Sequence, residues 1–478
     1  MRKKSSHPLY KACDAGRWEP NMKIIKNGTL VSPTKIWNAD IAIENNIIKQ
    51  IATDIIPTSS DEVYDATGCY VFPGFIDGHT HFDMDTGTAH TADDFISGTK
   101  AAVVGGTTTI VDFATQEKGQ SLKEAYEVWT KKAKDKSSCN YRFHMAITDW
   151  NDSVKEEMDE MPELGVTSFK MYMAYDNLLS NDAEILSCLK KIKEIDGVLG
   201  VHCENGTLIN SLTKEMIEAG EYTPSAHPKS RPDYVEAEAI NRLAYISSLA
   251  GHPVNIVHLS SFAGLNEIRN ARKRNQSLTV ETCPQYLLLD DSYYDLDNFE
   301  GAKYVLSPPL RKENDKKALI RAIVDNEIDT IATDHCSFNF KKDKELGLLD
   351  FRKIPNGAPG VEHRPQLIYT YMVEAGNIDV SKMCELMATN PAKRYGMYPE
   401  KGILEVGCDA DIVVFDSNYE GIITCSKQLQ NVDYTPYEGF KIKGQARTVF
   451  VNGECVVKDA AIVNERQGRY VLGPRGMK

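Results

Sequence analysis

The chain has 478 residues, about three domains' worth by length; its 42% hydrophobic and 26% charged residues exclude the disordered, collagen-like and membrane-embedded classes. Lys and Arg number 55 against 68 Asp and Glu, a net charge of −13, spread thinly and without the basic stripe that would neutralise a phosphate backbone, so nucleic acid is excluded as a partner. The 11 cysteines form no CxxC pair and no run approaches ~18 apolar residues, so reduced thiols, a cytoplasmic address and no membrane span are expected.

Residues 1–21 have a basic start, no apolar signal region and no hydrophobic periodicity, and are expected to be a poorly ordered extension. From Met22 to residue 73 the chain alternates short β-like runs with turn signals, at Asn27-Gly28, Asn45-Asn46 and Pro73-Gly74. The stretch 401–457 reads alike, with ADIVVFD at 410–416 and RTVFVNGECVV at 447–457. Both ends are therefore expected to build one small β-sandwich domain, followed by a C-terminal tail at 458–478.

The middle, 74–400, alternates apolar runs with charged helical segments. Eight candidate strands lie at 74–81, 107–114, 141–147, 166–173, 198–204, 253–260, 277–284 and 329–336. Between them are segments such as SLKEAYEVWTKKAK (121–134) and DAEILSCLKKIKEI (182–195), apolar at i, i+3 and i+4. The basic run Lys131, Lys132, Lys134 and Lys136, broken by Asp135, reads as the solvated end of a helix. Eight β/α units with Val/Ile-rich strands predict an α/β fold, a parallel (β/α)8 TIM-like barrel. An open doubly wound sheet is the rival; polar residues at the strand ends favour closure.

Active sites of such barrels lie at the C-terminal ends of the strands. There the first candidate strand ends in His79 and His81, the fourth carries Lys170, the fifth and sixth end near His202 and His258, and the eighth at Asp334. Residues i and i+2 of a strand point the same way, so His79 and His81 can chelate one ion. Imidazoles with a carboxylate are the donor set of a catalytic zinc. One His-x-His is weak evidence; ligand types on five strands are strong evidence. His144, His252 and His363 read instead as hydrogen-bonded core histidines, and His7, His90 and His227 as loop residues. Lys170 sits inside a strand, where a lysine is costly unless paired or chemically altered. A core salt bridge and a carbamate formed with CO2 are both open.

The chain resembles the dihydropyrimidinase and D-hydantoinase family of the amidohydrolase superfamily from Met22 into the C-terminal β segment. The resemblance rests on GFIDGHTHFD (74–83), SFKMYMAY (168–175), VHCENG (201–206), IVHLS (256–260), ETCPQYLLLD (281–290), LSPPLR (306–311), ATDHCSF (332–338) and PNGAPGVE (355–362). It implies two zinc ions per subunit: one held by His79, His81 and Asp334, the other by His202 and His258, bridged by carboxylated Lys170 and a hydroxide. It further implies Asp334 as proton shuttle and Tyr175, Ser307 and Asn356 as substrate contacts, the last two mainly through backbone atoms. Without the resemblance, Tyr175 would read as a packing aromatic and Asn356-Gly357 and Pro308-Pro309 as ordinary turns. The function implied is ring opening of dihydropyrimidines or 5-substituted hydantoins to N-carbamoyl amino acids, by a homodimer or homotetramer. The alternatives are an allantoinase, a dihydroorotase, a phosphotriester hydrolase or a non-catalytic scaffold relative.

Overall fold

The computed structural model describes residues 21–473; the expectation for the N-terminal extension falls, Asn21 apart, outside the described residues. Strands β1 (Lys23–Val31), β2 (Ile36–Glu44), β3 (Ile47–Ala52), β4 (Glu62–Asp65) and β5 (Cys69–Pro73) precede the barrel. The barrel strands are β6 (Phe75–Thr80), β7 (Thr107–Thr115), β8 (Asn140–Ala146), β9 (Ser168–Tyr172), β10 (Val198–His202), β11 (Val254–Ile256), β12 (Leu278–Thr282) and β13 (Thr330–Ile331). After them come β14 (Ile412–Ile422), β15 (Lys441–Val451), β16 (Glu454–Lys458) and β17 (Ala461–Ile462).

The two chain ends share one hydrogen-bonded sheet of nine strands, in the order β17-β16-β15-β14-β5-β1-β2-β3 with β4 beside β1. The antiparallel pair β5–β14, with Ile412 opposite Pro73, joins the N-terminal half to the C-terminal half. Ile25, Leu30, Ile41, Val71, Ile412 and Phe450 pack together beneath it. Asn452 and Gly453 both take positive φ (52° and 77°) between β15 and β16, as a tight hairpin turn requires. The Asn27-Gly28 signal has a different meaning from the one expected: it marks a bulge inside continuous β1. A side chain at Gly28 would meet Val71 Cγ2 at 2.5 Å, so close strand approach demands glycine there.

The eight barrel strands run parallel in chain order, β6 to β13. The ring closes through a parallel bridge between Thr80 and His335, where the His81 N–H donates to the His335 carbonyl at 2.8 Å. Helices Leu122–Ala133 and Asp182–Glu194 start at capping boxes built by Ser121 with Glu124 and Asn181 with Glu184. Lys132 departs from the solvated role expected for the basic run: it lies 4.3 Å over the Trp129 ring and its ammonium reaches the Asp83 carbonyl. In the C-terminal segment, Tyr141 N–H donates to Arg469 O and Val471 N–H to Tyr141 O, which ties the segment to β8. No helix among the described residues is long and apolar enough to cross a membrane.

Two barrel strands are much shorter than their apolar runs. β11 stops at Ile256 and β13 at Ile331. Just beyond them His258 (φ 40°) and Asp334 (φ 55°) adopt left-handed backbone that no strand can continue.

Candidate metal centre

The short strands and their left-handed exits bring the chemistry together at one end of the barrel. Hydrogen bonds hold each exit. Asp112 on β7 accepts from Thr80 Oγ1 (2.8 Å) and the Phe82 N–H (2.9 Å), which fixes the chain on both sides of His81. Asp77 on β6 accepts from the Thr333 N–H (3.1 Å) and hydroxyl (2.7 Å), which anchors the residue before Asp334. Burial pushes the Asp112 carboxyl up to about 7.

His79, His81 and Asp334 offer ligand atoms that all lie within 4.8 Å of one another. Nε2 of His79 is 3.1 Å and Nε2 of His81 3.2 Å from the same Asp334 oxygen. On the other side, His202 Nδ1 faces His258 Nε2 at 3.0 Å. The four imidazoles form an arc, with neighbouring ring centroids 5.2 Å (His81–His79), 5.5 Å (His79–His258) and 4.8 Å (His258–His202) apart. Lys170 is 1% exposed, and its ammonium sits 5.1 Å from the Phe113 ring that His79 and His81 also pack against. Among the described residues no carboxylate pairs with it at ion-pair distance.

Two carboxylates unnamed in the sequence reading set the imidazoles. Glu281 Oε1 takes His79 Nδ1 at 2.7 Å and Glu204 Oε2 takes His202 Nε2 at 2.8 Å; both acids are fully buried. A carboxylate accepts, so the proton of each ring points outward and the lone pair of its other nitrogen points into the cluster. His79 and His202 thereby turn their other nitrogens towards an Asp334 oxygen at 3.1 Å and His258 Nε2 at 3.0 Å, and His81 Nε2 meets the same Asp334 oxygen at 3.2 Å. Deprotonated, these imidazoles and the carboxylate are a donor set that fits metal ions. The electrostatics agree. Burial opposes a charge on His79, yet Asp334 and Glu281 raise its pKa to about 9. Burial lowers His81 to about 4 and His258 well below its ordinary value, which leaves both rings neutral. Burial would raise Asp334, but His79, His81 and His258 hold it well below the usual carboxylate range. Burial lowers Lys170 to about 8.

Tyr175, in left-handed backbone (φ 68°), stands beside the arc with its ring 5.3 Å from that of His202. The Ser307 and Asn356 side chains flank its hydroxyl, and burial raises its pKa. Arg231 lies 5.3 Å from the Tyr175 ring and pairs with Glu204 at 2.8 Å, so one buried acid serves both His202 and the cation against Tyr175. The histidines read as structural lie elsewhere in the pattern. His144 bonds Ser168 Oγ (2.7 Å) and the Gly78 carbonyl (2.9 Å), His252 the Gly197 carbonyl (3.0 Å), and His227 the Leu306 carbonyl (2.8 Å). His90 reaches Asp83 at 3.2 Å, His363 is buried, and His7 falls outside the described residues. Glu204 and Glu281 had a signal: an acid at the end of an apolar strand is as costly as Lys170, and both lie in motifs already singled out.

The sequence pattern of the Amidohydrolase family matches residues 70–456. A D-hydantoinase of Geobacillus stearothermophilus is 43% identical over 452 residues, covering 94% of this chain and 96% of the relative. The crystal structure of dihydropyrimidinase from Brevibacillus agri NCHU1002 superposes with a TM-score of 0.93 at 40% identity, over 95% of this chain and 98% of that one. L-Hydantoinase (dihydropyrimidinase) from Arthrobacter aurescens does so at 0.86 and 28% identity, over 94% and 99%. With this barrel and these histidine- and carboxylate-bearing strand ends, the chain belongs to the amidohydrolase family, in its D-hydantoinase and dihydropyrimidinase group, and is a cyclic amide hydrolase.

Proposed function

We propose that the enzyme opens a 5,6-dihydropyrimidine ring, as in 5,6-dihydrouracil, or a 5-substituted hydantoin ring to an N-carbamoyl amino acid, at two zinc ions. The observation that carries this reading is the arc of imidazoles with its carboxylate: His79 and His81 beside Asp334, and His202 against His258. In this reading His79, His81 and Asp334 would hold one ion and His202 and His258 the other, with carboxylated Lys170 as a ligand shared between them. When bound, the ions supply Lewis acidity and a water of lowered pKa. Asp334, kept ionised by its histidines, takes the proton of the attacking water and passes it to the leaving ring nitrogen as the carbonyl C–N bond breaks. The Tyr175 hydroxyl, kept protonated by burial, donates to the developing oxyanion, a contribution of about 3–4 kcal/mol for such a donor. Ser307 and Asn356 present backbone N–H and C=O groups to the imide edge of the substrate. The ten cysteines among the described residues form no disulfide, which supports assignment to the reducing cytoplasm. We assign a homodimer or homotetramer from the family resemblance.

A panel of dihydrouracil, hydantoin, phenylhydantoin, allantoin and dihydroorotate tests the assignment. The residues after His81 are Phe82 and Asp83, with no cation there to pair a substrate carboxylate. Neutral cyclic imides are expected to exceed dihydroorotate at least about tenfold in kcat/KM, or about 1.4 kcal/mol at the transition state. Equal values would overturn the substrate class.

A further inference from the structure

Lys344 is fully buried and far from any role in the reaction as described, yet its surroundings are built around its charge. Its ammonium donates to three backbone carbonyls: Val305 at 2.8 Å, Pro355 at 2.7 Å and Gly357 at 2.7 Å. An ammonium has three N–H donors, and all three are used. Burial lowers the amine to about 7 while Cys336 and Asp343 act in the opposite sense, and only the protonated form can donate to all three carbonyls. A leucine or methionine would fill the space without that desolvation cost, so packing alone does not account for a lysine.

The acceptors explain it. Val305 stands two residues before Ser307, and Pro355 and Gly357 bracket Asn356. These segments are about fifty residues apart in sequence, and besides Lys344 they meet through the Gly357 N–H donating to the Val305 carbonyl at 3.1 Å. Nearby, His227 bonds the Leu306 carbonyl at 2.8 Å. The short 3-10 turn that carries the lysine, Lys344–Gly347, is seated on the same segment, because a side chain at Gly347 would strike Ile354 Cγ1 at 2.1 Å. Gly357 in turn (φ 150°) packs where a side chain would fall 2.4 Å from the Cys336 carbonyl oxygen, two residues past Asp334.

We propose that Lys344 is a positioning residue: its ammonium clamps the 305–307 and 355–357 segments in one register, so that the backbone of Ser307 and Asn356 meets the imide edge of the substrate together. This rests on the substrate role assigned to Ser307 and Asn356 above. The scissile C–N bond belongs to that imide, yet contacts that the substrate makes in the ground state and keeps in the transition state are uniform binding, so their loss appears in KM and leaves kcat largely intact.

The test is a graded series in the zinc-loaded enzyme, with KM and kcat measured on dihydrouracil and hydantoin alongside zinc per subunit. Lys344→Met keeps the length and removes every donor; Lys344→Gln keeps two N–H donors on a shorter stem. Lys344→Met is expected to raise KM at least about tenfold while kcat stays within about threefold and zinc content is unchanged, with Lys344→Gln between it and the wild type. Should Lys344→Met fail to fold, Lys344→Gln carries the test. A wild-type KM in the folded variants overturns the positioning role, as does loss of kcat and zinc at unchanged KM. A wild type inactive on every cyclic imide refutes the substrate assignment instead, whatever the variants do.

Discussion

Arg142 and Lys170 stand on neighbouring barrel strands, β8 and β9, and each is 1% exposed. Arg142, near the N-terminal end of the barrel, has its guanidinium closed off. It donates to the carbonyls of Gly165 (2.7 Å), Tyr395 (2.8 Å) and Gly396 (3.2 Å) and to Thr167 Oγ1 (2.9 Å). Lys170, towards the opposite end, has aromatic rings and imidazoles around it and no carboxylate at ion-pair distance among the described residues. Several buried atoms there lack a hydrogen-bond partner: His81 Nδ1, His258 Nδ1, Glu204 Oε1 and Glu281 Oε2. A buried cation whose every nitrogen is hydrogen-bonded holds the barrel together. One left open among imidazoles is available for chemistry.

Breaking the open member has the largest expected effect. Lys170→Ala should lower kcat on the order of 10³-fold or more, beyond the loss of a single oxyanion donor, and weaken at least one zinc. Acetate or propionate at millimolar concentration should restore part of the activity in the presence of zinc, and bicarbonate should speed reconstitution of metal-free wild type. Two tightly held ions and near-normal turnover in the variant would rule out the carbamate bridge in favour of a merely structural lysine.

Breaking the closed member should do the reverse. Arg142→Met leaves buried carbonyls of Gly165, Tyr395 and Gly396 without their donor, at a cost on the order of 3 kcal/mol. A lowered Tm with unchanged zinc content and unchanged kcat in the folded protein is expected. A selective loss of kcat would erase the contrast between the two ends.

The smallest effect concerns His79. In the metal-free protein its pKa is raised from 6.5 to about 9, so it is protonated at pH 7 and must lose that proton to bind a cation. Calorimetric zinc titration without CO2, in buffers of different protonation enthalpy, should show about one proton released at pH 7 and progressively less as pH rises through 9. The same small release at pH 7 and pH 10 would remove the carboxylates' hold on this ring.

Much of this was legible in the chain itself. Alternation of apolar strands with amphipathic helices is a local property, set by side-chain period, and it determined the barrel. The sequence also singled out six ligand-type residues, five at the ends of apolar runs and Lys170 inside one, where a polar group is conspicuous. Strand lengths were not legible: β11 and β13 end early because His258 and Asp334 turn left-handed, a choice enforced by neighbours such as Asp77 and Glu281. Nor was the meaning of Asn27-Gly28, whose bulge depends on Val71 pressing from the next strand. Which nitrogen His79 turns inward was decided by Glu281, an acid on β12 far away in sequence, whereas His202 is set by Glu204 only two residues on. Nothing in its charged stretch marks Lys344; only the folded chain brings three carbonyls to its ammonium. Period and composition act through neighbours in sequence, whereas a hydrogen-bond partner is chosen by neighbours in space.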